Sequence, residues 1–169
     1  QPDAISVQEI LNKALHTLLR ESIEIVGAGR TDSGVHATQM FAHFDSSIIP
    51  DKKQFIHRLN SFLPKDIVIY NMHEVSTTAH ARFDATSRTY EYHIHTYKNP
   101  FMHEGSWYVQ QPLNIQLMNE AAKILLEYED FECFSKVHTD VKTFICKITE
   151  AYWTQEDTKL NLPLQQIVF

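Results

Sequence analysis

Apolar residues recur along the chain in two rhythms, and the switches between them mark out the elements. Val7, Ile10, Leu11, Ala14, Leu15, Leu18 and Leu19 follow at helical spacing, which predicts an amphipathic helix with one wide apolar stripe ending near Arg20. Ser6-Val7-Gln8-Glu9 ahead of it is a capping box, its hydroxyl and carboxylate suited to tie up the first free amides. Residues 23–28, with β-branched Ile23, Ile25 and Val26, predict a short strand, and residues 38–45 alternate with Met40, Ala42 and Phe44 on one face. Helical spacing returns over residues 50–63, with Phe55, Leu59 and Phe62 inward and Pro64 as the stop. Residues 67–75 predict another strand, and residues 88–97 alternate Tyr90, Tyr92 and Ile94 against Glu91, His93 and His95. A third helix is predicted over 114–127, a long strand over 141–153, and the start of a further strand over 164–169. Residues 76–87 are small and polar and read as a crossover between two lobes. The fold class this sets is α+β, with a largely antiparallel sheet flanked by helices.

A polar stretch lies between the first two predicted strands, where residues 27–37 read G-A-G-R-T-D-S-G-V-H-A. Glycines let the backbone reach positive φ and let a ligand approach, and they leave Arg30 and Asp32 standing close together in the loop. Aspartate and glycine also dominate ordinary turns, so the residues alone allow either a plain turn or a working loop. The spacing of Gly27, Gly29 and Gly34 excludes a dinucleotide fingerprint, and no Gly-Lys-Ser/Thr ending makes it a phosphate-binding Walker loop.

Composition narrows the classes further. The 169 residues suffice for one sizeable core or two small lobes. No apolar run approaches the roughly 18–20 residues of a membrane span, and no basic-then-apolar leader suggests secretion. Cys133 and Cys146 lack C-x-x-C spacing and read as reduced cytosolic thiols. The formal net charge is −6. Only residues 51–100 are basic, with seven Lys and Arg against five Asp and Glu, so a nucleic-acid contact is expected from the middle of the chain.

Gly29-Arg30-Thr31-Asp32-Ser33-Gly34-Val35-His36-Ala37 resembles the catalytic signature of the tRNA pseudouridine synthase A family over nine consecutive positions. Ala81-Arg82-Phe83-Asp84-Ala85-Thr86-Ser87-Arg88-Thr89-Tyr90-Glu91-Tyr92 resembles that family's second motif, A-R-F-x-A-T-x-R-x-Y-x-Y. Leu63-Pro64-Lys65-Asp66-Ile67 matches its L-P-x-D-I turn, and residues 135–139 resemble a later segment. Asp84 and Glu91 depart from the pattern, as acids where many relatives are neutral or basic. The family also opens with a strand bearing a Tyr-Asp-Gly-type segment and carries an arginine-rich helix motif beyond the position of Phe169. The resemblance therefore implies a pseudouridine synthase fold truncated at both ends, built of two ferredoxin-like lobes. Residues 1–76 would form the N-terminal α/β lobe with the catalytic loop, and residues 77–169 an incomplete C-terminal one.

The activity so implied is isomerisation of uridine to pseudouridine in the tRNA anticodon stem-loop, at tRNA positions 38, 39 and 40. It would be carried out in the cytoplasm by a homodimer, with each tRNA bridging both subunits. Breaking the glycosidic bond, turning the uracil and rejoining it through carbon changes no oxidation state, so neither a cofactor nor a metal is expected. An ionised carboxylate suffices, acting covalently on the nucleotide or as a base. Asp32 takes that role, with the positive charge of Arg30 beside it favouring the ionised form. Arg30 would fill the stack vacated by an everted uridine or grip its phosphate. The motif's base-contacting tyrosine falls on Tyr90, which would stack on the base, while Arg82 and Arg88 would meet the RNA backbone. Each residue also has a plainer reading: Asp32 capping its own turn, Arg30 in an ion pair, Tyr90 in the core, and the other arginines solvated. His36 reads as structural. Two rival functions stand beside the synthase. One is an RNA-binding but inactive fragment or relative lacking the C-terminal basic motif. The other is a metal-dependent hydrolase built on His93 and His95, which share a predicted strand face.

Overall fold

The computed structural model describes residues 5–135, 143–157 and 163–168. It is α+β and divides into two compact units, one running to Thr86 and the other beginning at Ser87.

In the first unit, helix α1 (Val7–Leu19) starts where Ser6 Oγ accepts the Glu9 N–H at 3.1 Å, the forward half of the expected capping box. It ends at Arg20, which takes the left-handed φ of 59° and returns its N–H to the His16 carbonyl. Helix α2 (Lys52–Phe62) is capped by Asp51, whose Oδ1 accepts from Gln54 at 2.9 Å. The two helices pack together over a core of Ala14, Leu15, Ile23, Ile25, Phe55, Leu59 and Leu63. Phe62, expected inward, is 50% exposed, and Leu63 is buried in its place. The helix has stopped by then, and the extended backbone of Leu63 (φ −74°, ψ 152°) turns its side chain into the core.

Strand β1 (Val26–Gly27) pairs antiparallel with β2 (Ala42–His43), Val26 opposite His43 and Gly27 opposite Ala42. Both are shorter than the alternation predicted. Of the face expected to turn inward from 38–45, Phe44 packs on the core, whereas Met40 and Ala42 are exposed. Residues 67–75 join no ladder. Instead the carboxamide of Asn60 grips Ile69 at two points, accepting its N–H at 2.7 Å and donating to its carbonyl at 2.8 Å. Ile25 is held likewise from α1, its N–H bonded to Asn12 Oδ1 and its carbonyl to Gln8 Nε2, both at 2.9 Å. A carboxamide offers the same donor and acceptor as a peptide group, so it satisfies extended backbone as a neighbouring strand would.

The second unit is a four-stranded sheet ordered β4-β3-β6-β5. Its strands are β3 (Glu91–His95), β4 (Trp107–Tyr108), β5 (Tyr152–Asp157) and β6 (Pro163–Val168). β6 runs antiparallel to both β3 and β5, while β4 is parallel to β3. Helix α3 (Ile115–Ile124), capped by Asn114, packs on β5. A 3₁₀ turn at Leu125–Glu127 extends it. Asn119 repeats the two-point grip, accepting the Trp153 N–H at 2.8 Å and donating to its carbonyl at 3.0 Å. The strand expected over 141–153 is replaced by a single bridge, Asp130 with Ile145, and a strand that starts only at Tyr152; residues 141 and 142 lie outside the described residues. So do residues 136–139 of the later family-like segment.

Candidate active site

The signature loop leaves the β1–β2 pair through one further rung, in which the Ala28 N–H donates to the Phe41 carbonyl at 2.8 Å. Its ends are thereby fixed a strand spacing apart. At its tip the Val35 N–H reaches the Asp32 carbonyl at 3.4 Å, closing a tight turn with Gly34 at φ 84°. A type II turn requires positive φ at that third position, and glycine supplies it without a Cβ penalty. Asp32 opens the turn, with its side chain exposed along with those of Arg30 and His36. The carboxylate is thus presented to solvent from a loop whose base is hydrogen-bonded and whose bend is set by one glycine.

Arg82 lies in the same unit, on a turn over residues 80–84 that closes on itself. The His80 N–H donates to Asp84 Oδ2 at 2.7 Å, and the Asp84 N–H returns to the His80 carbonyl at 2.9 Å. The imidazole of His80 stacks on Phe83 with centroids 4.2 Å apart. The turn is tied to β2 by His43, whose Nδ1 accepts the Ala81 N–H at 3.1 Å and whose ring lies 4.6 Å from that of His80. Arg82 and the base of the Asp32 loop therefore share one scaffold strand. Nothing in the sequence marks His43 apart from a solvent-facing residue, because an alternating strand places it on the face opposite Ala42 and Phe44. The family departure at Asp84 has a structural role here, because its carboxylate closes the turn.

Arg88 and Tyr90 belong to the second unit, on the run into β3, and both are exposed, Tyr90 by 50%. His93 and His95 part company. His93 Nε2 stands 3.8 Å from the Glu91 carboxylate, while His95 is buried, bonded through Nδ1 to Ser106 Oγ at 2.9 Å and stacked on Tyr108. Among the described residues, no three His, Cys, Asp or Glu side chains converge as a metal site, and no helix is long and apolar enough to cross a membrane. Cys133 and Cys146 are free and exposed.

The fold and loop define an α+β protein that presents an aspartate to solvent on a strand-anchored turn. No family model matches the chain. It is 55% identical over 158 residues to tRNA pseudouridine synthase A of Bacteroides fragilis, covering 93% of this chain and 63% of that protein. The Bacillus subtilis protein of the same name is 36% identical over 166 residues, 96% of this chain and 67% of the relative. That of a Thermoanaerobacter species is 37% identical over 167 residues, 98% and 68%. The chain belongs to the tRNA pseudouridine synthase A family. It spans 60 to 63% of the length of the Bacteroides relatives that it matches.

Proposed function

We propose that this chain carries the catalytic aspartate of a tRNA pseudouridine synthase, and that the whole protein isomerises uridine in the anticodon stem-loop. The observation that carries the reading is the placement of Asp32. It is exposed at the tip of a loop whose base is hydrogen-bonded and whose bend depends on Gly34. An everted uridine brought to that loop meets the Asp32 carboxylate, which acts on the nucleotide covalently or as a base. Arg30, two residues away, grips the phosphate or fills the vacated stack. Arg82 and Arg88 take backbone phosphates, a role that fits their exposure and the basic middle of the chain. Half-exposed Tyr90 offers its ring for stacking on the flipped base. The finer fold proposed is two ferredoxin-like lobes, residues 1–76 with the catalytic loop and residues 77–169. The protein would act in the cytoplasm as a homodimer, and no cofactor enters the chemistry.

Tritium release from tRNA labelled at uridine C5 tests the assignment in the full-length protein. Asp32→Ala and Asp32→Asn are each expected to lower kcat by at least about a thousandfold while leaving tRNA affinity within about threefold. Release by Asp32→Ala at the wild-type rate would remove the aspartate from the mechanism.

A further inference from the structure

We propose that His43 is a positioning residue for RNA binding, holding the Arg82 turn against the strand that leaves the catalytic loop. Residues 80–84 close locally through the paired bonds between His80 and Asp84. Those bonds shape the turn but do not locate it. Location comes from a residue 38 positions away, the His43 Nδ1 that accepts the Ala81 N–H at 3.1 Å. The acceptor role places the ring proton of His43 on Nε2. Ring contact reinforces the bond, since the His43 and His80 centroids are 4.6 Å apart and tilted by 58°, with Phe83 stacked 4.2 Å from His80. The three rings and one hydrogen bond make a small polar-aromatic clasp, and Arg82 lies inside the segment that it holds. Arginine contacts to phosphate act through placement as well as charge, so releasing the turn weakens binding without touching the carboxylate. The proposal rests on the reading of Arg82 as an RNA contact given above.

Two substitutions in the full-length protein separate the acceptor from the ring. His43→Asn places an amide oxygen at the position of Nδ1 and keeps the acceptor, whereas His43→Phe keeps a ring and loses it. With His43→Phe, the Ala81 amide is expected to exchange with solvent at least about tenfold faster, and KM for tRNA to rise about fivefold to tenfold with kcat within twofold. His43→Asn is expected to restore both to within about twofold of wild type, and Arg82→Ala to add little to His43→Phe. Unchanged tRNA affinity in His43→Phe overturns the proposal. So does a His43→Asn as weak as His43→Phe, or an Arg82→Ala effect that multiplies in full with it. Should His43→Phe fail to fold, His43→Ala, which also lacks the acceptor, replaces it. A wild-type protein that binds tRNA but releases no tritium sinks the synthase reading alone, because amide exchange and filter binding still measure the clasp.

Discussion

Gly34 takes φ 84°, and a Cβ added there would meet nothing within 4 Å. The cost of a side chain at this position is therefore torsional, about 1–2 kcal/mol for an L-residue, and it falls on the turn that Asp32 opens. Gly34→Ala is expected to lower the rate of tritium release at least tenfold, because a shift of about 1 Å at a reacting group is enough for that. Its urea midpoint should fall by no more than that torsional cost implies, since an added Cβ meets no neighbour; equal activity in the alanine variant would count against the role given to this turn. Arg20 is the opposite case, a non-glycine residue at φ 59° closing α1. Glycine is the usual residue for such a left-handed cap, so Arg20→Gly is expected to stabilise the protein by about 0.5–1 kcal/mol, read as a higher urea midpoint.

At the scale of elements, the helices were the most legible part of the sequence. Ser6, Asp51 and Asn114 each accept an N–H from three residues on, a local relation that spacing reveals directly. The strands were less so. Alternation records which side chains face a core but not whether the backbone finds a ladder, and for Ile25 and Ile69 the partners are side-chain amides of helices. Nothing in a lone Asn12 or Asn60 distinguishes such a grip from a solvated amide. The candidate site divides in the same way. Asp32 and its glycine were legible because the turn is local, whereas His43 depends on a contact 38 residues away. Asn119→Leu tests the grip on β5. It strands the N–H and carbonyl of part-buried Trp153 and is expected to cost about 1–3 kcal/mol. Amide exchange should quicken at Trp153 before it does in α1, and an unaltered melting curve would show the grip to be dispensable.

For the whole molecule, the carboxylates with the clearest environments are not those of the site. Glu21 is held below its ordinary value by the Ser47 hydroxyl and then by the Ser47 N–H. The Lys52 ammonium does the same for Glu74, by a hydrogen bond at 2.6 Å and by its charge. A depressed carboxylate contributes stability that is present above its unfolded value and lost as pH falls through the folded one. Neither group is deeply buried, so each contribution is small, but both act in the same acid window, below about pH 4.3. Glu21→Gln is expected to flatten the fall of the urea midpoint in that window and to leave it unchanged in slope above pH 6. The placement of Asn119 has a consequence of another kind. Among the described residues β5 is an edge of its sheet, and an open edge invites strands from other molecules to pair with it and aggregate. At Trp153 that invitation is withdrawn, because the groups an incoming chain would need are already engaged by the protein's own helix.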